Sequence, residues 1–480
     1  MGVTPPNPFR ILRNIKAARR ADHRRELAMV TRRKALPARS MNRRKYFSLA
    51  ILALILFVGL SATAQAATIS LGIDELEKTN FAALKGKRIG LVTNPSGADS
   101  KGRSAISVIY HGQSVGDYKL VKLFGPEHGI DGLTGAGKET HNGHDPGTGL
   151  PVYALYNTAR GNFRHPTKEM FSGLDAVVYD VQDLGNRSYT FISTLGYVMD
   201  ECAKDNIECI VLDRPNPLGG IRIEGPRLDP TVTSFVGLYN IPYVYGLTPG
   251  ELAQWINAKY LAQPCRLTII AMKGWTRGMV WEDTGLKWIP TSPNVPTIGA
   301  ARGYAATGVL GEIGIETGIG GPLPFEAIAG HGWPDGAIAK RFKALRIPGV
   351  NFTPYRYNAG SNYDGVYVKI DPRNAGNLTA INFYAIAILE EEVDGFSAFG
   401  HTSADQRQMF QKVTGVENMR QQLMAAHSVS DITDIVDSWN SGIARWAQER
   451  SPYLLYGNTA PHATSSSAPT SSAAGSSALP

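Results

Sequence analysis

Between residues 88 and 275 the chain repeats one pattern: a short unbroken apolar run, then a stretch with apolar side chains three to four apart. The runs are RIGLVTN (88–94), YKLVKLF (118–124), LPVYALY (150–156), DAVVYDVQD (175–183), ECIVLDRPNP (208–217) and RLTIIAMKGW (266–275). The helical stretches between them are RSAISVIYHG (103–112), TKEMFSGL (167–174), YTFISTLGYVMDECAKDN (189–206) and TPGELAQWINAKYL (248–261). A strand with one wet face alternates polar and apolar residues, so an unbroken apolar strand must be covered on both faces. The pattern therefore predicts an α/β domain over 67–285, a Rossmann-like parallel sheet with helices on both faces. Thr248 with Glu251 three residues on has the form of a capping box and predicts where the last helix begins.

Beyond this domain the texture changes. WIPTSPNVPT (288–297) is Pro-rich and suits a junction. A Gly-dense segment follows, GEIGIETGIGGPLPFE (311–326), and then a mixture of a strand (GVYVKID, 365–371) and helices (382–393, 415–427). A second, accessory α/β domain over 290–457 is expected. Residues 461–480 are too poor in apolar side chains to fold.

The chain of 480 residues has a formal charge of +8, but the first 66 residues hold 14 Lys/Arg against two acids, so the remainder carries −4. A mildly acidic body argues against nucleic acid as a partner. The basic head has the form of a secretory signal: Met41-Asn-Arg-Arg-Lys45, an apolar run from Phe47 to Leu60, and Ala64-Gln65-Ala66 as the cleavage site. Residues 41–66 are read as a signal peptide cut after Ala66, with 1–40 an over-extended start. The apolar run is short for a membrane span. A periplasmic or secreted protein without a stable membrane span is expected. The three cysteines, Cys202, Cys209 and Cys265, make no disulfide framework and no CxxC spacing.

Polar residues cluster where three of the predicted strands end. Glu127 and His128 follow Phe124; Gln182, Asp183, Asn186 and Arg187 follow Val181; Asp213, Arg214 and Asn216 follow Leu212. In open parallel sheets ligands bind outside the carboxyl ends of the strands, so parallel strands would set all three clusters on one rim. Three chemistries compete for it. A dinucleotide cofactor lacks its G-x-G-x-x-G, and no cofactor is expected. A serine nucleophile lacks its G-x-S-x-G elbow. A metal held by His128, His141 and His144 has only a loose His-x-x-His spacing, and no metal is assigned. Carboxylate chemistry remains. Glycoside hydrolysis needs an acid that protonates the leaving oxygen, often with a second carboxylate. Glu127, in a turn restricted by Pro126, is placed for the acid; Asp183, Asp213 and Glu224 are its candidate partners.

The blocks LFGPEHGIDG, TGLPVYALY, VVYDVQDLGNRSYT, VLDRPNPLGG, EGPRL, YGLTPGELA and SPNVPT, in this order, resemble one bacterial family: the exo-β-N-acetylmuramidases of domain of unknown function 1343, glycoside hydrolase family 171. The resemblance covers residues 70–455. It implies a Rossmann-like domain, a C-terminal accessory domain and an active cleft between them. It also implies release of N-acetylmuramic acid from the non-reducing end of peptidoglycan fragments, with Glu127 the catalytic acid; on the strand-end reading His128, Asp183 and Glu224 are the residues expected to act with it. Gln182, Asn186, Arg187, Tyr189, Asp213, Arg214, Asn216, Tyr245 and Asn294 would line the cleft. Muramic acid carries a lactyl carboxylate, and Arg187 and Arg214 are the cations expected to meet it. The chain departs from the family where Tyr245-Gly246 stands for His-Gly, where Ser188 precedes Tyr189, and where 311–326 lacks the Asn and Arg of an E-G-T-N…G-R-G-T segment. The alternatives are a non-catalytic cell-wall sugar-binding protein and a metal-dependent amidase or esterase.

Overall fold

The computed structural model describes residues 69–157 and 164–458, and the apolar runs become its main sheet. The strands are β1 (Arg88–Thr93), β2 (Lys119–Gly125), β3 (Gly143–His144), β4 (Pro151–Ala154), β5 (Ala176–Asp180) and β6 (Glu208–Leu212). β7 (Glu224–Arg227) and β8 (Pro242–Val244) pair with each other outside it, and β9 (Arg266–Ile270) returns to it. The sheet order is β3-β4-β2-β1-β5-β6-β9. Every pairing in it is parallel except β3 with β4, so the sheet is mainly parallel with a two-residue antiparallel edge.

Both faces are covered, as the unbroken runs require. Alternate residues of each strand point to opposite faces. Leu91, Leu123, Val178 and Ile210 pack with Ile73 and Leu76 of helix α1 (Gly72–Lys78) and with Val108 and Ile109 of α2 (Ala105–Gly116). Their neighbours Val92, Phe124, Val177, Tyr179 and Val211 pack on the other side. There, beyond the short α3 (Lys168–Phe171), they meet Ile192, Leu195 and Met199 of α4 (Phe191–Lys204) and Leu252 and Ile256 of α5 (Pro249–Lys259). The capping box at α5 forms: Thr248 Oγ1 accepts from the Glu251 N–H at 3.2 Å, and Glu251 Oε2 accepts from the Thr248 N–H at 3.0 Å.

The second half starts with α6 (Ile298–Thr307) and holds a three-stranded antiparallel sheet, β10 (Ala327–Gly330), β11 (Val350–Asn358) and β12 (Asn362–Ile370), in the order β10-β12-β11. Helix α7 (Asp335–Ala344) packs on it, α8 (Thr379–Glu392) packs against α6 and α7, and α9 (Ala404–Thr414) packs against the turn of residues 310–313, followed by α10 (Met419–Ala425), α11 (Val429–Ser438) and α12 (Asn440–Arg450). Ile328, Phe352, Val366 and Val368 meet Ile338, Phe342, Ile381, Ile388 and Phe410 in one core. That core also takes in Tyr243 and Val244 of β8, so the β7–β8 pair ties the two halves together.

The expected leader (41–66), the extension before it (1–40) and the tail (461–480) lie outside the described residues. Among the described residues no helix is long and apolar enough to cross a membrane.

Candidate active site

β2 ends at Gly125, and the chain turns there because the next residues leave no room for anything else. A Cβ on Gly125 would lie 2.8 Å from the Ile130 backbone nitrogen. His128 (φ 71°) and Gly129 (φ 80°) both adopt the left-handed conformation. For histidine this costs on the order of 1 kcal/mol, and surrounding contacts must impose it. They do: the Thr134 N–H donates to the His128 carbonyl at 3.0 Å, His128 Nδ1 lies 2.8 Å from the Thr134 carbonyl oxygen, and the Phe191 ring meets the imidazole edge-on. His128 is thus spent on holding the turn that aims Glu127.

Glu127 is buried with its carboxylate held at both oxygens. The Gly137 N–H donates to Oε1 at 2.8 Å, and the Thr190 hydroxyl donates to Oε2 at 2.5 Å. The Tyr156 hydroxyl also hydrogen-bonds this carboxylate, and burial together with the Glu127 charge pushes the Tyr156 phenol above its usual range. Thr190 immediately precedes α4, and Tyr156 ends the segment after β4, so two neighbouring loops converge on one acid.

Glu127 faces a cavity of about 320 Å³. From the first half, His128, Tyr156, Ser188, Tyr189 and Asn294 line it; from the second, Tyr304, Glu312, Phe325, Met409 and Val413 do. Tyr189 and Tyr304 meet edge to face with centroids 5.7 Å apart, and Tyr304 meets Phe325 the same way at 5.0 Å. Aromatic walls with a few fixed polar groups are the usual construction of a small-molecule site.

Of the residues singled out in the sequence, Glu127, His128, Tyr189 and Asn294 line this cavity. Of the others, those after β5 and β6 share the carboxyl edge of the sheet but do not face the cavity, Glu224 and Tyr245 belong to the separate β7–β8 pair and its end, and the single-rim expectation is corrected accordingly. β2 and β6 lie three places apart in the sheet, about 14 Å by the ordinary strand spacing. The clusters after β5 and β6 instead sink inward to satisfy the loops. Asp183 is buried, accepting from the Gly185 N–H at 2.6 Å and from the Tyr245 hydroxyl, and burial pushes its carboxyl up to about 6. Gln182 donates to the Asp183 and Pro215 carbonyls, and Asn216 donates to the Leu247 carbonyl. Asn186 is fully buried beside β8.

Asp213 accepts from the Gly250 N–H and from the Thr248 and Tyr456 hydroxyls, and burial pushes it up to about 6. Arg214 pairs with buried Asp180 at 2.5 Å. Glu224 is bound to Arg222 and to the Thr379 N–H. Arg187 donates to four carbonyls, those of Pro226, Ile241, Val413 and Thr414. Neither arginine expected to meet a substrate carboxylate is free to do so. His141 and His144 are exposed while His128 is buried, and among the described residues no three His, Cys, Asp or Glu side chains gather as a metal site.

The structure adds Tyr156, Thr190, Ser188, Tyr304, Glu312 and Phe325, which the strand-end reading did not single out. Tyr156 and Thr190 stand inside quoted blocks, at the ends of TGLPVYALY and VVYDVQDLGNRSYT. Glu312 stands in the Gly-dense segment, where no periodicity marks it.

Fold and cleft together define a two-part α/β protein with a carboxylate-bearing, aromatic-walled site where its halves meet. The chain belongs to the exo-β-N-acetylmuramidase NamZ family: the model of the family's N-terminal part matches residues 89–299, and that of its C-terminal part matches 302–456. It is 36% identical over 400 residues to the peptidoglycan β-N-acetylmuramidase NamZ of Bacillus subtilis (strain 168), covering 82% of this chain and 93% of that one. Two DUF1343-family crystal structures from Bacteroides fragilis NCTC 9343 are similar. One has a TM-score of 0.74 at 38% identity over 81% of this chain and 99% of that one. The other has a TM-score of 0.58 at 26% identity over 82% and 99%.

Proposed function

We propose that this protein is an exported glycosidase that removes β-linked N-acetylmuramic acid, one residue at a time, from the non-reducing ends of peptidoglycan fragments during cell-wall turnover. The observation that carries the reading is Glu127, a buried carboxylate fixed by Gly137, Thr190 and Tyr156 at the wall of a cavity of about 320 Å³. That volume is at the small end for ligand sites and suits a single substituted sugar ring, which favours exo over endo action. Tyr189, Tyr304 and Phe325 supply faces against which the C–H side of a sugar packs. Glu127 gives its proton to the glycosidic oxygen as the C1–O bond breaks, so the leaving sugar departs as a neutral alcohol. The chain's similarity to the Bacillus subtilis muramidase supports the choice of sugar.

Purified protein incubated with peptidoglycan disaccharides and longer fragments is expected to release free N-acetylmuramic acid, read by mass spectrometry. Absence of the free monosaccharide, or internal cleavage of the fragments, overturns the reading. Export rests on residues 41–66 of the sequence. Protein recovered from the periplasm or medium is expected to begin at Ala67, read by N-terminal sequencing; retention in the cytoplasm overturns that part.

With Arg187 and Arg214 committed elsewhere, the cation for the lactyl carboxylate is Arg164. Its guanidinium lies 4.8 Å from the Tyr156 ring centroid and 5.0 Å from that of Phe235, beside Tyr156 of the cavity wall. One Nη donates to the Tyr156 hydroxyl at 3.3 Å, and Nε is buried without a partner. A charge-assisted hydrogen bond contributes about 1.5–3 kcal/mol. Arg164→Gln is therefore expected to raise KM for an N-acetylmuramide by roughly ten- to a hundredfold. Turnover of the matching N-acetylglucosaminide, which lacks the lactyl group, should change little. An equal effect on both substrates removes Arg164 from this role.

A further inference from the structure

The cleft holds a second acid that the strand ends do not supply. Glu312 lies in the turn of residues 310–313 in the second half of the chain and lines the same cavity as Glu127. Its carboxylate has no hydrogen-bond or ion-pair partner among the described residues, although every strand-end acid considered above is tied down. An acid that the fold does not use, left facing the cavity beside two tyrosines, is placed for chemistry rather than for stability.

We propose that Glu312 is the general base of the hydrolysis, taking the proton from the water that attacks C1 on the face opposite the leaving sugar. This rests on the glycosidase reading and completes it. The water oxygen bonds to C1, its proton passes to the Glu312 carboxylate, the C1–O bond breaks, and the proton of Glu127 goes to the departing oxygen. Solvent then returns Glu312 to its anion and Glu127 to its acid, and the sugar leaves with inverted configuration.

The surroundings fit a base. Burial alone pushes the Glu312 carboxyl up to about 7, with no cation named among the causes. The titratable groups that feel its charge are Tyr243 on β8 and Tyr304 on α6. The other titratable groups on the cavity wall are Glu127, His128, Tyr156 and Tyr189, while α9 presents only Met409 and Val413. A base of this basicity must lose its proton to act, so activity is expected to fall as pH drops below about 7.

Glu312→Gln is expected to lower kcat by at least about a hundredfold both on the natural disaccharide and on a nitrophenyl muramide, because water must be activated in either case. Glu312→Ala is expected to regain turnover with sodium azide, giving a muramyl azide, a rescue that a merely structural role would not produce. Proton NMR of the first wild-type product should show the α-anomer. The inference is overturned if Glu312→Gln turns over like wild type, if azide restores nothing, or if the first product is the β-anomer. Wild-type protein that releases no sugar removes the glycosidase reading and this inference together. Sugar release by wild type with any of the other three results removes only the inference.

Discussion

Glu127→Gln is expected to lower kcat on a disaccharide substrate by about 10²–10⁴-fold, with KM nearly unchanged and the fold intact. The side chains are isosteric, and the amide oxygen still accepts from Gly137 or Thr190. What is lost is the transferable proton. The loss should therefore depend on the leaving group. A sugar alcohol needs protonation to depart, whereas a nitrophenolate does not, so the variant should retain far more activity on a nitrophenyl muramide than on the disaccharide. Glu312→Gln is expected to damage both equally, and the contrast separates the two roles. Parallel steady-state kinetics on the two substrates measure it. Wild-type turnover of the disaccharide by Glu127→Gln, or a loss independent of leaving group, rules out Glu127 as proton donor.

The sheet was legible in the sequence because burial on both faces writes itself as unbroken apolar runs, as in Ala176–Asp180. Elements without that constraint were not. β3 has two residues, too few for any pattern. β11 carries Pro354 and exposed polar residues, which an edge strand tolerates because its outer N–H groups need no partner. The site was legible in part for a related reason. Sequence shows which polar residues stand at strand ends, but not the lateral order of the strands. Nor does it show which polar side chains turn inward to satisfy loop carbonyls and amides. Glu127 stayed at the cavity because its turn, fixed by Gly125, Pro126 and the left-handed His128, carries it outward. Asp183, Asp213 and Arg214 were drawn into the interior by Tyr245, Thr248 and Asp180. Glu312 comes from a segment far downstream of these clusters, and only the packing of the second half on the first brings it to the cavity that Glu127 lines.

Arg187→Gln is expected to unfold the protein rather than weaken substrate binding. The guanidinium is fully buried, over the Tyr243 ring, and burial lowers its pKa to about 10. It donates to Pro226 and Ile241, both at 2.7 Å, around the β7–β8 pair, and to Thr414 at 2.7 Å and Val413 at 3.3 Å at the end of α9. One side chain thus stitches the first half to the second, and the fit is close: a Cβ on Gly415 would lie 2.3 Å from its Nη2. Each buried carbonyl left without a donor costs about 1–3 kcal/mol, so losing four approaches the whole stability of an ordinary domain. Arg187→Gln should therefore be insoluble or melt at least about 10 °C below wild type. Arg187→Lys, a point charge that cannot span four acceptors, should fold with an intermediate loss. Thermal unfolding followed by circular dichroism, together with KM for the muramide, decides the matter. A variant that melts like wild type while KM rises would return Arg187 to the substrate. A variant that melts early while KM holds assigns it to the seam that brings Glu127 and Glu312 to the same cavity.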